Sequence, residues 1–344
     1  MIDKRIGFCC KWIDDPAECA GRKPTTESRD LNGRSTTMRW LREHPEEAEQ
    51  RQWDIMNHNA QAALNMVERV ATLPPERRMV RLGSEMLQGY TEPNWIDWWQ
   101  QVDVQNHLEK IFAPVGQRAR ELGVRLGFHP GQFCVLASES DEIVERSILE
   151  FEYHADMARW MGYGSAWHDH GFVINIHLSG KGGASKFLQT LNRLSPEARN
   201  LITVENDEIS YGLDDTLALA KHVALVLDIH HHWIKSGGEY IQGQDPKVQR
   251  VIDSWRGCRP LLHYSVSRED VLVDHCTRTR PDFPQLAGRG FKKQQLRAHS
   301  DFYWNEAVTD WALTLWDQFD IECESKGKNL ASEQVYNRAI GSRV

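Results

Sequence analysis

No CxxC pair occurs in the sequence, and its seven cysteines are an odd set. This excludes a disulfide framework and the common zinc-ribbon spacings; the cysteines read as reduced thiols of a cytosolic protein. Long apolar runs are missing too, since none approaches the roughly 18 residues of a membrane span. MIDKRIGFCC at the start lacks a secretory hydrophobic stretch. Neither a membrane nor an obligate protein partner is implied. Excess positive charge is also absent: 41 Lys and Arg against 49 Asp and Glu give a net charge of −8, which argues against nonspecific coating of nucleic acid. Repeats, low-complexity tracts and linkers are lacking, so one domain over residues 1–344 is expected.

Short apolar runs are plentiful. Eight read as strands: RIGFCC (5–10), MVRLG (79–83), RLGFH (125–129), FVINIH (172–177), LITVE (201–205), ALVLD (224–228), LLHYSV (261–266) and FDIECE (319–324). Between them lie stretches of helical period at 46–72, 103–122, 141–161, 213–222, 245–255 and 303–318. The alternation predicts a parallel sheet, and its unbroken run predicts an α/β fold closed into a (β/α)₈ TIM barrel. Two segments exceed a minimal barrel, at 11–45 and 267–302. Both follow strands, so both belong to the face that carries function in such barrels.

Metal-type ligands close the apolar runs: His129, His177, Glu205, Asp228, His231, His263 and Glu324. One histidine at a strand end is an ordinary rim residue. Several imidazoles and carboxylates converging on one barrel mouth are costly to bury unless something pairs them, and metal ions supply that pairing. Mixed His, Glu and Asp without cysteine fit Zn²⁺ or Mn²⁺, and the ligand count implies more than one divalent ion. Glu205, central in the series, is the candidate bridge and catalytic carboxylate. Clustered ions suit phosphodiester hydrolysis, where one activates a water and another stabilises the leaving oxygen. Metal-dependent isomerisation of a sugar or other small molecule is the competing use. In His230–His231–His232, His231 turns back as a ligand only if the strand ends at Asp228. Cys9 and Cys10 read as small buried hydrophobes beside the mouth.

One segment runs against the acidic whole. Residues 278–297 carry Arg278, Arg280, Arg289, Lys292, Lys293 and Arg297 with the single acid Asp282, a set of candidate phosphate contacts.

HPGQF (129–133), LITVENDE (201–208), LDIHHH (227–232) and ESKGK (324–328), in this order, make the chain resemble the UV damage endonuclease family over most of its length. The resemblance implies a barrel similar to endonuclease IV and xylose isomerases, a cluster of two or three divalent ions with Mn²⁺ preferred over Zn²⁺, and nicking of damaged double-stranded DNA immediately 5′ to ultraviolet photoproducts. It places metal ligands on His129, His177, Glu205, Asp228, His231, His263, His299 and Glu324. His299 enters through RAHSDF (297–302). Gln132 and Phe133 would wedge into the duplex beside the lesion, where distorted DNA is cheaper to open. The chain departs from the family at four positions. Glu85 stands where the family often has a histidine, and a carboxylate can still bind metal. Leu261 replaces a lysine able to carry a metal-bridging carbamate. Phe8 and Trp12 replace a tyrosine and an asparagine that probe the lesion; Trp12 either stacks on a base or packs under the loop at 11–45.

Overall fold

A computed structural model describes residues 4–341. Its strands are β1 Ile6–Cys10, β2 Met79–Leu82, β3 Arg125–Phe128, β4 Val173–His177, β5 Ile202–Glu205, β6 Ala224–Asp228, β7 Leu261–Tyr264 and β8 Asp320–Cys323. All pair in parallel in chain order, and β8 closes on β1 with Ile6 opposite Ile321 and Phe8 opposite Cys323. Each of the eight expected runs holds its strand, and the expected closed barrel is the observed one.

Strands covered on both faces must be apolar on both, and period two decides what each face meets. On β6, Leu225 and Leu227 pack into the large core shared with the helices. Ala224 and Val226 join Met79, Val173, Leu261 and Trp255 in a separate apolar cluster. This cluster draws on the first residues of β2, β4, β6 and β7, so it plugs the N-terminal part of the barrel. Asp228 continues the row of Ala224 and Val226 at the other end. A plug below and candidate ligands above follow from alternation alone.

The longest helix, Pro45–Ala71, has proline in its first turn, Glu46 and Glu47 beside it, and Arg69 in its last turn, as the helix dipole favours. Val102–Leu122, Asp141–Trp160 and Pro246–Ser254 also match expectation. The stretch 213–222 instead divides into Leu213–Thr216 and a 3₁₀ turn, Leu217–Leu219, and 303–318 shortens to Glu306–Leu313. Unforeseen helices include Gly183–Leu191, Pro196–Leu201, Ile229–Ser236 and Lys328–Gly341. Ile229–Ser236 starts directly after β6 because the Asp228 carboxylate caps it, accepting the His231 N–H at 2.6 Å.

The two long loops are ordered by specific partners. Asn32 pairs with both backbone groups of Trp12, and Asn329 with both of Ile13. Asn59, buried on the longest helix, bonds to Arg34 N and O and to Met86 O. Three amides thus replace the ladder bonds that irregular backbone lacks. The 267–302 loop carries two short helices, Phe283–Gly288 and Lys293–Leu296, whose Phe283, Leu286 and Leu296 pack on Trp233, Ile234 and Leu272.

Candidate metal centre

Glu205 ends β5 with no exposure to solvent. Its carboxylate lies 3.0 Å from His263 Nδ1, 3.3 Å from His231 Nδ1, 3.6 Å from His129 Nε2 and 3.9 Å from His177 Nε2. Among the described residues two groups of candidate ligand atoms emerge, each with all its members within 4.8 Å of one another: His129, His177 and Glu205, and Glu205, Asp228, His263 and Glu324. Glu205 belongs to both.

Neighbouring strands fix this carboxylate. Asn175 Nδ2 donates to Glu205 Oε2 at 2.5 Å, and Thr203 Oγ1 donates to Asn175 Oδ1 at 2.8 Å. Asn206 clips β5 to β6, donating to Asp228 O and accepting from Asp228 N. His129 keeps Nδ1 against Pro130 O at 2.8 Å, which leaves Nε2 facing Glu205. Such an anchor on the outer nitrogen sets which nitrogen is free to ligate.

The donor atoms are poorly satisfied by the protein itself. Glu205 Oε1, Asp228 Oδ2, His177 Nδ1 and both His263 nitrogens are buried without hydrogen-bond partners. Buried lone pairs converging without donors suit divalent cations, so the residues fit the ions expected of them.

Electrostatics in the ion-free site follow from crowding. Burial opposes charge on His263, yet Glu205, Glu324 and Glu322 hold its pKa up to about 9. Burial pushes Asp228 up to about 8, with Glu205 and Glu324 adding repulsion against the pull of His231. Burial also works against the charged Glu324, but Arg81 and His263 outweigh it and hold the carboxyl well below its usual range. Burial lowers the pKa of His177 and His299.

The remaining expected ligands divide. His231 turns toward the site, because β6 ends at Asp228; its Nε2 faces Glu208 at 3.5 Å and its Nδ1 the Asn206 carbonyl at 3.1 Å, and it lies outside both ligand groups. His299 lies near His231, its ring tilted with centres 6.1 Å apart, and is held by a β-bridge to Ser267, but it lies outside both ligand groups. Glu85 is exposed and also outside them, which corrects its expected role. Leu261 is buried in the apolar plug. The strand reading missed Arg81, whose Nη1 meets Glu324 at 2.6 Å and Glu322 at 2.7 Å. It also missed Asp207, 3.5 Å from His177 Nδ1. A charged residue inside an apolar strand was the available signal for Arg81 and Glu322.

The expected DNA contacts divide as well. Phe133 is 83% exposed on the turn after β3, with Gln132 exposed beside it. Arg278, Arg280, Arg289, Lys292 and Lys293 are all exposed on the 267–302 loop. Arg280 lies over Tyr240 and Arg289 over Phe291, while Arg297 is bound to Glu208 at 2.9 Å. Phe8 and Trp12 are different. They are only 1% and 7% exposed, pack edge to face at 5.9 Å, and Arg69 covers the indole. Phe8 alternates outward from the barrel into the helix layer, and Trp12 is packed under its loop, so neither offers a ring to a base.

Fold and site together define a parallel (β/α)₈ barrel whose C-terminal mouth carries a His and carboxylate cluster able to hold metal ions. The UV-endonuclease UvdE family profile matches residues 16–338, and the chain belongs to that family. A UV-damage endonuclease of Neurospora crassa is 30% identical over 203 residues, which cover 55% of this chain but only 30% of that longer protein. A UV DNA damage endonuclease of Bacillus mycoides is 24% identical over 310 residues, covering 86% of this chain and 85% of its own length. The crystal structure of SacUVDE superposes with a TM-score of 0.72 at 22% identity, over 99% of this chain and all of the other, and so shares the fold.

Proposed function

We propose that this protein is a metal-dependent endonuclease that nicks duplex DNA on the 5′ side of ultraviolet photoproducts or other distorting lesions. The observation that carries the reading is Glu205, one buried carboxylate shared by two ligand groups at the mouth of a UvdE-family barrel. His129 and His177 would complete one cation site, and Asp228, His263 and Glu324 the other, with His231 adjoining both. Ions bound there, Mn²⁺ or Zn²⁺, would supply an activated water and stabilise the leaving oxygen.

The rest is the work of the chain. Asn175 and Asn206 hold the carboxylates where ions would need them. The turn carrying Gln132 and Phe133 begins at the ligand His129, so a ring inserted into a distorted duplex would stand beside the centre. The basic 267–302 loop supplies phosphate contacts that a small-molecule isomerase does not need.

A duplex oligonucleotide bearing one defined photoproduct, labelled at either end, tests this. The expected result is a metal-dependent cut immediately 5′ to the lesion with 3′-hydroxyl and 5′-phosphate ends. A duplex left intact across a Mn²⁺ and Zn²⁺ titration, with the protein folded, would overturn it.

A further inference from the structure

Glu322 belongs to neither ligand group, yet it is one of the most enclosed carboxylates in the barrel, at 2% exposure. Two residues before Glu324 at the end of β8, it shares that residue's face and stands opposite His263 in the β7–β8 register. Burying a carboxylate at such a place is costly unless it has work to do.

His263 shows what that work is. Its Nδ1 faces Glu205 at 3.0 Å and Glu324 at 3.4 Å, and its Nε2, on the far side of the ring, faces Glu322 Oε1 at 3.4 Å. The ring thus spans the ligand group and Glu322. His129 is arranged likewise, with one nitrogen toward Glu205 and the other on the Pro130 carbonyl. On His263 the outer nitrogen faces a carboxylate, 3.4 Å away and not hydrogen-bonded in the ion-free chain.

Arg81 pairs with Glu322. Its Nη1 lies between Glu322 Oε1, at 2.7 Å, and Glu324 Oε1, at 2.6 Å, so the Glu322 carboxylate is engaged by a guanidinium while it stands outside both ligand groups. The same contact fixes the separation of the two β8 carboxylates.

We propose that Glu322 is a positioning residue, which would accept a hydrogen bond from His263 Nε2–H when a cation is bound and so present Nδ1 to the site that Glu205, Asp228 and Glu324 would form, with Arg81 clamping Glu322 to Glu324. The inference rests on the metal-centre reading above. An anionic acceptor on the outer nitrogen fixes the tautomer, orients the ring and strengthens the ligand.

The test compares wild type, Glu322→Gln and Glu322→Met. Each full chain is stripped with EDTA, checked by circular dichroism and thermal melting, and titrated calorimetrically with Mn²⁺ and with Zn²⁺. The Met variant has no acceptor and should lose about 10- to 100-fold in affinity at one site. The Gln variant, whose amide oxygen can still accept, should fall between Met and wild type. Nicking should follow site occupancy and recover in the Met variant at high Mn²⁺. Equal affinity in all three folded proteins would overturn the role. So would equal weakening in Gln and Met together with a matching drop in the ion-free melting temperature, the mark of a merely structural residue. Wild-type protein that binds neither ion would instead overturn the metal-centre reading, and this inference with it.

Discussion

Replacing Glu205 by glutamine keeps the shape of the side chain and removes one charge from the middle of the site. The carboxylate has four imidazoles within 4 Å, and both ligand groups include it. A unit charge at that range is worth about 4 kcal/mol at an effective dielectric constant of ~20. At about 1.4 kcal/mol per decade this corresponds to roughly a thousandfold, a floor if the ions are divalent and if Glu205 touches two of them. Glu205→Gln should therefore bind fewer ions per chain than wild type, counted by elemental analysis after desalting, and nick irradiated DNA at least about a thousandfold more slowly. The fold should survive, because Asn175 can still pair with the amide and His263 can release its proton. A Gln variant that binds the full complement of ions and nicks within about tenfold of wild type would refute the reasoning.

Three further outcomes are expected. In ion-free protein His263 is held up to about 9 from 6.5, and Asp228 up to about 8 from 3.8, so both bind protons more tightly in the folded chain than in the unfolded one. Their stabilisation is full below the unfolded values and is lost as pH rises through the folded ones, so the ion-free melting temperature should fall between pH 6.5 and 9. Mn²⁺, which competes with these protons, should reverse the trend; a flat ion-free profile would contradict it. Phe133→Ala should leave stability within about 0.5 kcal/mol, yet weaken binding to damaged duplex by about 1–3 kcal/mol in a fluorescence titration. Trp12→Ala should do the opposite, costing about 3–5 kcal/mol in urea unfolding as a buried aromatic does, with unchanged DNA affinity in the folded protein.

The barrel was legible because each strand is a short apolar run of period two or nearly continuous, and eight such runs separated by helical stretches close in only a few ways. The convergence of candidate ligands at strand ends was legible for the same reason: alternation carries Asp228 inward from Ala224 and Val226. What stayed hidden depended on partners far apart in sequence. Arg81 reads as one polar interruption in MVRLG until the fold sets it against Glu322 and Glu324. The helix at Ile229–Ser236 was obscured by three consecutive histidines, which show no apolar stripe, although its cap, Asp228, stood in plain view. Phe8 and Trp12 were expected to contact the lesion, but residue type alone does not reveal that one points into the helix layer and the other lies under Arg69. Glu85 shows the limit of positional transfer, since the loop after β2 leaves it outside the ligand groups.

The most direct measurement is the conversion of ultraviolet-irradiated supercoiled plasmid to nicked circles by EDTA-stripped protein, as Mn²⁺ is added back. The account predicts nicking that rises with both ultraviolet dose and Mn²⁺, is absent in EDTA, and spares unirradiated plasmid. Nicking that is indifferent to dose, or that persists undiminished in EDTA, would contradict it.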